Sequence, residues 1–231
     1  MKILITGCAG FIGFHLCNEI LKKKNVKIIG LDNLNNYYST NLKNKRLNFL
    51  KKNKKFKFYK IDITNYDKLK KIFQKNRFDL LFNLAAQAGV RNSINNPIDY
   101  INSNILGFSN LLELSRIFKV KKVFYASSSS VYGDTKKFPL KENNVVFPKN
   151  LYSLSKKNNE EIAEIYSFYY DMQLIGLRFF TIYGEWGRPD MFILKYISSF
   201  KNKKIFYLNN FGNHYRDFTN INDVIKNIII L

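Results

Sequence analysis

TGCAGFIG, residues 6–13, sets glycines at positions 7, 10 and 13 directly after an apolar run, KILIT (2–6), and at the head of a segment of helical period (12–23). The spacing suits a loop that turns sharply at Gly7, lets backbone approach a pyrophosphate at Gly10, and packs helix on strand at Gly13. Phe11 and Ile12 open the helix, whose unpaired N–H groups and dipole favour phosphate. A glycine triple alone is weak evidence, but the second apolar run, KIIGL (27–31), leads straight into Asp32 and Asn33, about 20 residues beyond the loop. A carboxylate there accepts hydrogen bonds from both ribose hydroxyls of an adenosine and repels a 2′-phosphate, so NAD is expected over NADP.

The same alternation continues along the chain. Strand-like runs at 56–62, 80–85, 122–127 and 174–180 alternate with helical patterns at 66–75, 98–118 and 153–170. Continuous apolar strands separated by helices predict a parallel sheet covered on both faces, an α/β doubly wound architecture. Strand-end sequences rich in small residues, DIT (62–64) and NLAAQAG (83–89), are where adenine and nicotinamide ribose would lie. The lysine-rich stretch 38–55 is expected as a surface helix, IFYLNN (205–210) as a short strand, and DVIKNIIIL (223–231) as a helix.

The 231 residues are 46% hydrophobic and carry a formal net charge of +21, almost all of it lysine. Recognition of nucleic acid favours arginine and clustering, whereas these lysines are scattered, so no nucleic-acid partner is expected. Two cysteines, Cys8 and Cys17, are too few for a disulfide scaffold. Nothing near the N-terminus reads as a signal peptide and no apolar run approaches membrane length, so a cytoplasmic protein without membrane contact is expected. His15 and His214 lack partners at ligand spacing; structural roles and no metal site are expected.

YASSSSVYG (125–133) places a block of hydroxyls at the end of the fifth strand, and LYSLSKK (151–157) sets Tyr152 and Lys156 one helical turn apart. An ammonium and a positive nicotinamide ring beside a phenol lower its proton affinity from near 10. In order and spacing, the glycine loop, Asp32, a serine-ended strand and YxxxK resemble the extended short-chain dehydrogenase/reductase family over the whole chain. The resemblance implies a Rossmann-type domain over 1–180, with the catalytic set Ser128, Tyr152 and Lys156. It also implies NAD held by Gly7, Gly10, Phe11, Ile12, Gly13, Asp32, Asn33, Asp62, Ile63, Leu84, Ala85, Ala86, Asn104, Tyr152, Lys156 and Phe179.

Within that family, dehydratases resemble TDEVYG at this strand end and uronate decarboxylases TSEVYG, whereas this chain has serines at both acidic positions, which disfavours elimination. NLAAQAGVRNSI, ASSSSVYG and LRFFTIYGEWGRPDM (177–191) are similar to UDP-glucuronate 4-epimerases. That resemblance implies C4 inversion through a 4-keto sugar, with Ser128, Ser129, Ser130, Thr181 and Arg188 around the uronate and Arg216 on the diphosphate; the role of Arg91 stays open. A neutral-sugar 4-epimerase acting on UDP-glucose or UDP-N-acetylglucosamine is the alternative, and an impaired fragment or non-enzymatic binding protein of the same fold a further one. Family members are longer, so 181–231 is expected as a small, truncated substrate lobe. Helices 98–118 and 153–170 correspond to those of the family's dimer interface, implying a homodimer, with ordinary burial within the monomer as the alternative, and capsule or lipopolysaccharide precursors are the products the family suggests.

Overall fold

The computed structural model describes residues 1–135, 137–213 and 216–231; His214 lies outside the described residues. Six parallel strands form one sheet: β1 (Lys2–Thr6), β2 (Lys27–Asp32), β3 (Phe56–Lys60), β4 (Leu80–Asn83), β5 (Lys122–Ser128) and β6 (Gln173–Phe179). Their order is β3-β2-β1-β4-β5-β6, all parallel, with Ile3 opposite both Ile28 and Leu80. The chain therefore winds outward from β1 in one direction and returns on its other side, so the strand order reverses between β1 and β4. A crevice opens at the carboxyl ends of the strands at such a point.

Alternation along each strand feeds two cores, because successive side chains leave opposite faces of the sheet. Ile3 and Ile5 of β1 join Phe14, Leu16, Leu47, Leu50 and Ile28 on one face, while Leu4 joins Leu31, Leu69, Phe73, Leu111 and Val123 on the other. Helices α1 (Phe11–Leu21) and α2 (Thr40–Lys51) supply the first face, and α3 (Tyr66–Lys75) the second. Ser39 caps α2 by accepting from the Leu42 amide, and Asn65 caps α3 through Lys68, as short hydroxyl and amide side chains do at helix starts.

The predicted helix 98–118 is broken. After α4 (Asn92–Asn95) and α5 (Pro97–Tyr100), residues Ile101–Leu106 take a π-type winding before α6 (Gly107–Ile117). The apolar periodicity of α6 turns inward, with Phe108, Leu111, Leu112 and Leu114 fully buried within the protomer. Helix α7 (Leu151–Tyr170) starts at Asn150, whose side chain accepts from the Ser153 amide while the Ser153 hydroxyl accepts from the Asn150 amide. This reciprocal cap fixes the first turn, where Tyr152 stands.

Beyond β6 the chain forms β7 (Thr181–Tyr183), α8 (Phe192–Lys201), β8 (Phe218–Asn220) and α9 (Ile221–Ile230). Residues 204–208 carry no regular structure, so the strand expected at 205–210 is not formed; β7 pairs instead with β8, Ile182 opposite Thr219. Helix α9 buries Ile221, Val224, Ile225 and Ile228 in the same cluster as α1.

Candidate active site

The crevice between β1 and β4 opens into a cavity of about 1420 Å³ running across the carboxyl ends of the strands. Gly7 lies at its floor with φ +67°, and a Cβ there would stand 2.7 Å from the backbone of Leu84 and Ala85, so only glycine lets the loop pass this close to the end of β4. Gly10 precedes α1 without a side-chain cap, and the first turn of α1 holds no acidic residue, which leaves its N–H groups for an anion. Asp32 is buried at the end of β2. Its carboxylate accepts from the amides of Ala9 (3.1 Å) and Leu34 (2.8 Å), and burial nonetheless holds its pKa above the usual carboxylate value. Uncapped helix start, glycine loop and buried acceptor together are the donor and acceptor set that a dinucleotide's pyrophosphate and adenosine ribose require.

Of the residues expected on the cofactor side, Gly7, Gly10, Phe11, Ile12, Gly13, Asp32, Asn33, Ile63, Leu84, Ala85, Ala86, Tyr152, Lys156 and Phe179 all line this cavity. Two do not reach it. Asp62 is engaged behind the wall, accepting from the side chain of Asn33 (2.7 Å) and from both the amide and hydroxyl of Thr64, which lower its pKa against burial. Asn104 is buried beneath the β4 loop: it accepts from the Gln87 amide and donates to the Gln87 carbonyl and the Ser155 hydroxyl. Its bonds hold the loop to α7, an indirect contribution to the wall.

On the opposite side, β5 delivers the serines. Ser127 turns away and donates to Glu160 (2.5 Å), which also pairs with Arg178 (2.8 Å). Ser128 is buried at the strand end, accepts from the Ser130 amide and starts the 3-10 turn that carries Ser129 and Ser130 into the cavity. Tyr152 faces them across the cleft, its ring edge-on to Tyr100. Burial raises its pKa, while the neighbouring Ser128 hydroxyl and the charge of Arg188 pull it back. Lys156 is buried one turn on. It donates to the Ala126 carbonyl (2.7 Å), its Nζ stands 5.9 Å from the Tyr152 ring centroid, and burial lowers its pKa to about 8. Ser128 and Arg188 are thus the groups that most oppose the effect of burial on the phenol, with the Lys156 ammonium over its ring.

Thr181, Arg188 and Arg216 also line the cavity, Arg216 on its exposed rim together with Arg91. Arg188 forks onto Asp190, from Nε to Oδ1 (3.1 Å) and Nη2 to Oδ2 (2.5 Å), and Tyr37 donates to the same Oδ2 (3.3 Å). His15 is structural: its Nε2 meets the Glu185 carbonyl at 2.8 Å between the rings of Phe11 and Phe14. Among the described residues no group of His, Cys, Asp and Glu could hold a metal ion, and no helix is long and apolar enough to cross a membrane.

Two residues of the site escape the sequence reading, Lys43 and Arg46. Both sit on α2, which is not the plain surface helix expected: Lys43 lines the cavity near Asp32 and donates to Asn35, and Arg46 is fully buried. Arg46 donates to the carbonyls of Ala9 (2.9 Å), Trp186 and Gly187 and to the Tyr38 hydroxyl, tying the glycine loop to the segment that ends in Arg188. A signal existed in the sequence: Leu47 and Leu50 mark the inward stripe of this helix, and Lys43 and Arg46 stand on it at i, i+3, i+4, i+7 spacing.

Comparison with known proteins agrees with this geometry. Protein CapI of Staphylococcus aureus is 48% identical over 229 residues, covering 99% of this chain and 68% of its own length. UDP-glucuronate 4-epimerase of Thermodesulfobacterium geofontis is 42% identical, covering 98% and 70%. The crystal structure of UDP-glucuronic acid 4-epimerase from Bacillus cereus in complex with UDP-glucuronic acid and NAD superposes with a TM-score of 0.94 at 35% identity, covering 99% of this chain and 72% of that one. The family model described as NAD dependent epimerase/dehydratase family matches residues 3–231. With its switch-point cavity, glycine loop, buried Asp32 and Tyr152–Lys156 pair, this chain belongs to the NAD-dependent epimerase/dehydratase family.

Proposed function

We propose that the protein interconverts UDP-glucuronate and UDP-galacturonate by inversion at C4. The observation that carries this reading is the pairing, in one cavity, of a Tyr152–Ser128 site with a guanidinium, Arg188, and with hydroxyls instead of carboxylates at 129 and 130. Serines cannot protonate a departing C6 hydroxyl at neutral pH, so the dehydratase route lacks its acid and base. Arginine can hold a uronate carboxylate through parallel hydrogen bonds.

NAD, when bound, supplies the hydride acceptor for C4, a positive ring beside the phenol, and the donor that returns hydride to the other face of the ketone. The chain's own residues do the rest. Asp32 takes the ribose hydroxyls and the α1 N-terminus the pyrophosphate. Ser128 orients the C4 hydroxyl, and Tyr152 removes its proton and later gives one back. Lys156 anchors the Tyr152 helix to the end of β5 through Ala126 and leaves a cation beneath the phenol. Arg188, with Thr181, Ser129 and Ser130, holds the C6 carboxylate, and Arg216 the diphosphate. The carboxylate's orientation matters because the oxidised sugar is a β-keto acid, which loses CO₂ when its C5–C6 bond aligns with the ketone π system. We further propose that residues 181–231 form part of the substrate lobe, and that the protein is a cytoplasmic homodimer whose product supplies surface-polysaccharide synthesis.

The test is NMR of the product formed from UDP-glucuronate. Galacturonate is expected, with Tyr152→Phe lowering kcat by about 10²–10⁴-fold. Arg188→Ala should raise KM for the uronate about 10–100-fold, the loss of a charged hydrogen-bonding partner. Retained uronate turnover in Arg188→Ala would instead favour a UDP-glucose or UDP-N-acetylglucosamine 4-epimerase.

A further inference from the structure

Asp190 takes no part in the proton and hydride transfers, yet it occupies one edge of the guanidinium expected to meet the substrate. The Nε–Nη2 edge of Arg188 is taken in a two-point pairing, and among the described residues no hydrogen bond is formed by Nη1. Side chains of both residues are about a quarter exposed or less, 21% for Arg188 and 26% for Asp190, on the cavity wall. Asp190 is itself held: the Tyr37 hydroxyl donates to its Oδ2, and the Arg188 carbonyl accepts from the Met191 amide to close the turn that carries both residues. Tyr37 has little room to move, since a Cβ on Gly89 would lie 2.2 Å from its hydroxyl oxygen and the Arg188 guanidinium carbon sits 5.7 Å from its ring centroid. The loops after β2 and β4 and the segment before α8 thus converge on one carboxylate.

A planar guanidinium pinned along one edge can offer a second carboxylate only the remaining edge, in one plane. We propose that Asp190 is a positioning residue for the substrate carboxylate: it fixes the plane of Arg188, and Tyr37 fixes Asp190, so that the uronate is held through Nη1 and the outer hydrogen of Nη2. Asp190 also balances the guanidinium charge, so what the pair supplies to an incoming uronate is direction more than attraction. This inference rests on the uronate reading of the site. Its consequence is chemical. With the carboxylate held out of line, the C5–C6 bond of the 4-keto sugar survives. With a free guanidinium, the carboxylate rotates, C5–C6 breaks, CO₂ leaves, the electron pair enters the C4 carbonyl as an enolate, and water protonates C5 to give a 4-keto-pentose.

The experiment compares wild type, Asp190→Asn and Tyr37→Phe for calorimetric binding of UDP-glucuronate and of UDP-glucose, and for the NMR ratio of decarboxylated to epimerised product. In Asp190→Asn the decarboxylated fraction is expected to rise at least about fivefold, while UDP-glucose affinity stays within about twofold of wild type. Tyr37→Phe, which removes one hydroxyl and no charge, should shift the ratio the same way by less. A merely structural role would weaken both ligands together and leave the ratio alone. The proposal is overturned if either variant, folded by thermal melt, keeps the wild-type ratio. A wild-type protein that binds UDP-glucose as tightly as UDP-glucuronate and does not epimerise the uronate would overturn the uronate reading, and this one with it.

Discussion

Lys156 and Tyr152 meet opposite demands from desolvation in one site. Desolvation disfavours the charged form of each, so it lowers the ammonium's pKa and raises the phenol's. The lysine holds a pKa of about 8 in the folded protein against 10.5 ordinarily. Between those values the unfolded chain binds the additional proton, so the stability attributable to this side chain increases as pH rises from about 8 toward 10. A Lys156→Met variant has no such group. The free-energy difference between wild type and Lys156→Met, from urea denaturation, should therefore move in favour of wild type from pH 7.5 to pH 9.5. A difference that stays flat or moves the other way would mean that the ammonium is not desolvated in the folded state.

Helix α2 shows how an unpromising segment becomes a strut. Its sequence, TNLKNKRLNFLK, looks like solvated lysine-rich surface, and only two leucines mark an inner face. Arg46 extends that face across the cleft because three backbone carbonyls, at Ala9, Trp186 and Gly187, lie within reach of one planar fork. Trp186 has φ +56°, a left-handed conformation costly for a bulky side chain, and Arg46 bonds to its carbonyl. Arg46→Met strands those acceptors in a buried place, each costing about 1–3 kcal/mol. A loss of about 3–5 kcal/mol is expected, at the upper end for single substitutions. It should appear as a lower urea midpoint at unchanged m, with proteolysis newly susceptible in 184–190. A midpoint within about 0.5 kcal/mol of wild type would show that the fork is dispensable. Composition alone hid this role, since a buried cation whose terminal nitrogens bond carbonyls and a phenol rather than carboxylates leaves no charge pattern in the chain.

The sheet and the motifs at its carboxyl edge were legible because the strands that carry them are nearly unbroken apolar runs and each motif follows one directly, as in KILIT before the glycine loop and KVFYASS before the serine turn. Past β6 the strands shorten to three residues, TIY and FTN, and periodicity no longer separates strand from loop; for that reason the strand expected at 205–210 is absent and β8 gave no signal of its own. The same limit applies to faces that point outward. Helix α6 spends its apolar stripe inside the protomer, whereas α7 exposes Leu154, Ile165 and Phe168, the last 81% exposed, along one side. A second exposed apolar area, around Phe200, Ile205 and Tyr207, lies on α8 and the segment after it. A twofold axis along α7 would bring its stripe against itself, and a stable dimer needs about 800 Å² from each partner. Sedimentation equilibrium should then report twice the 27.3 kDa of the chain. Ile165→Glu with Phe168→Glu should return it to monomer by placing like charges across the axis, and Tyr207→Lys should leave the dimer intact. If Tyr207→Lys dissociates the dimer and the α7 pair does not, the self-association surface is the one around α8.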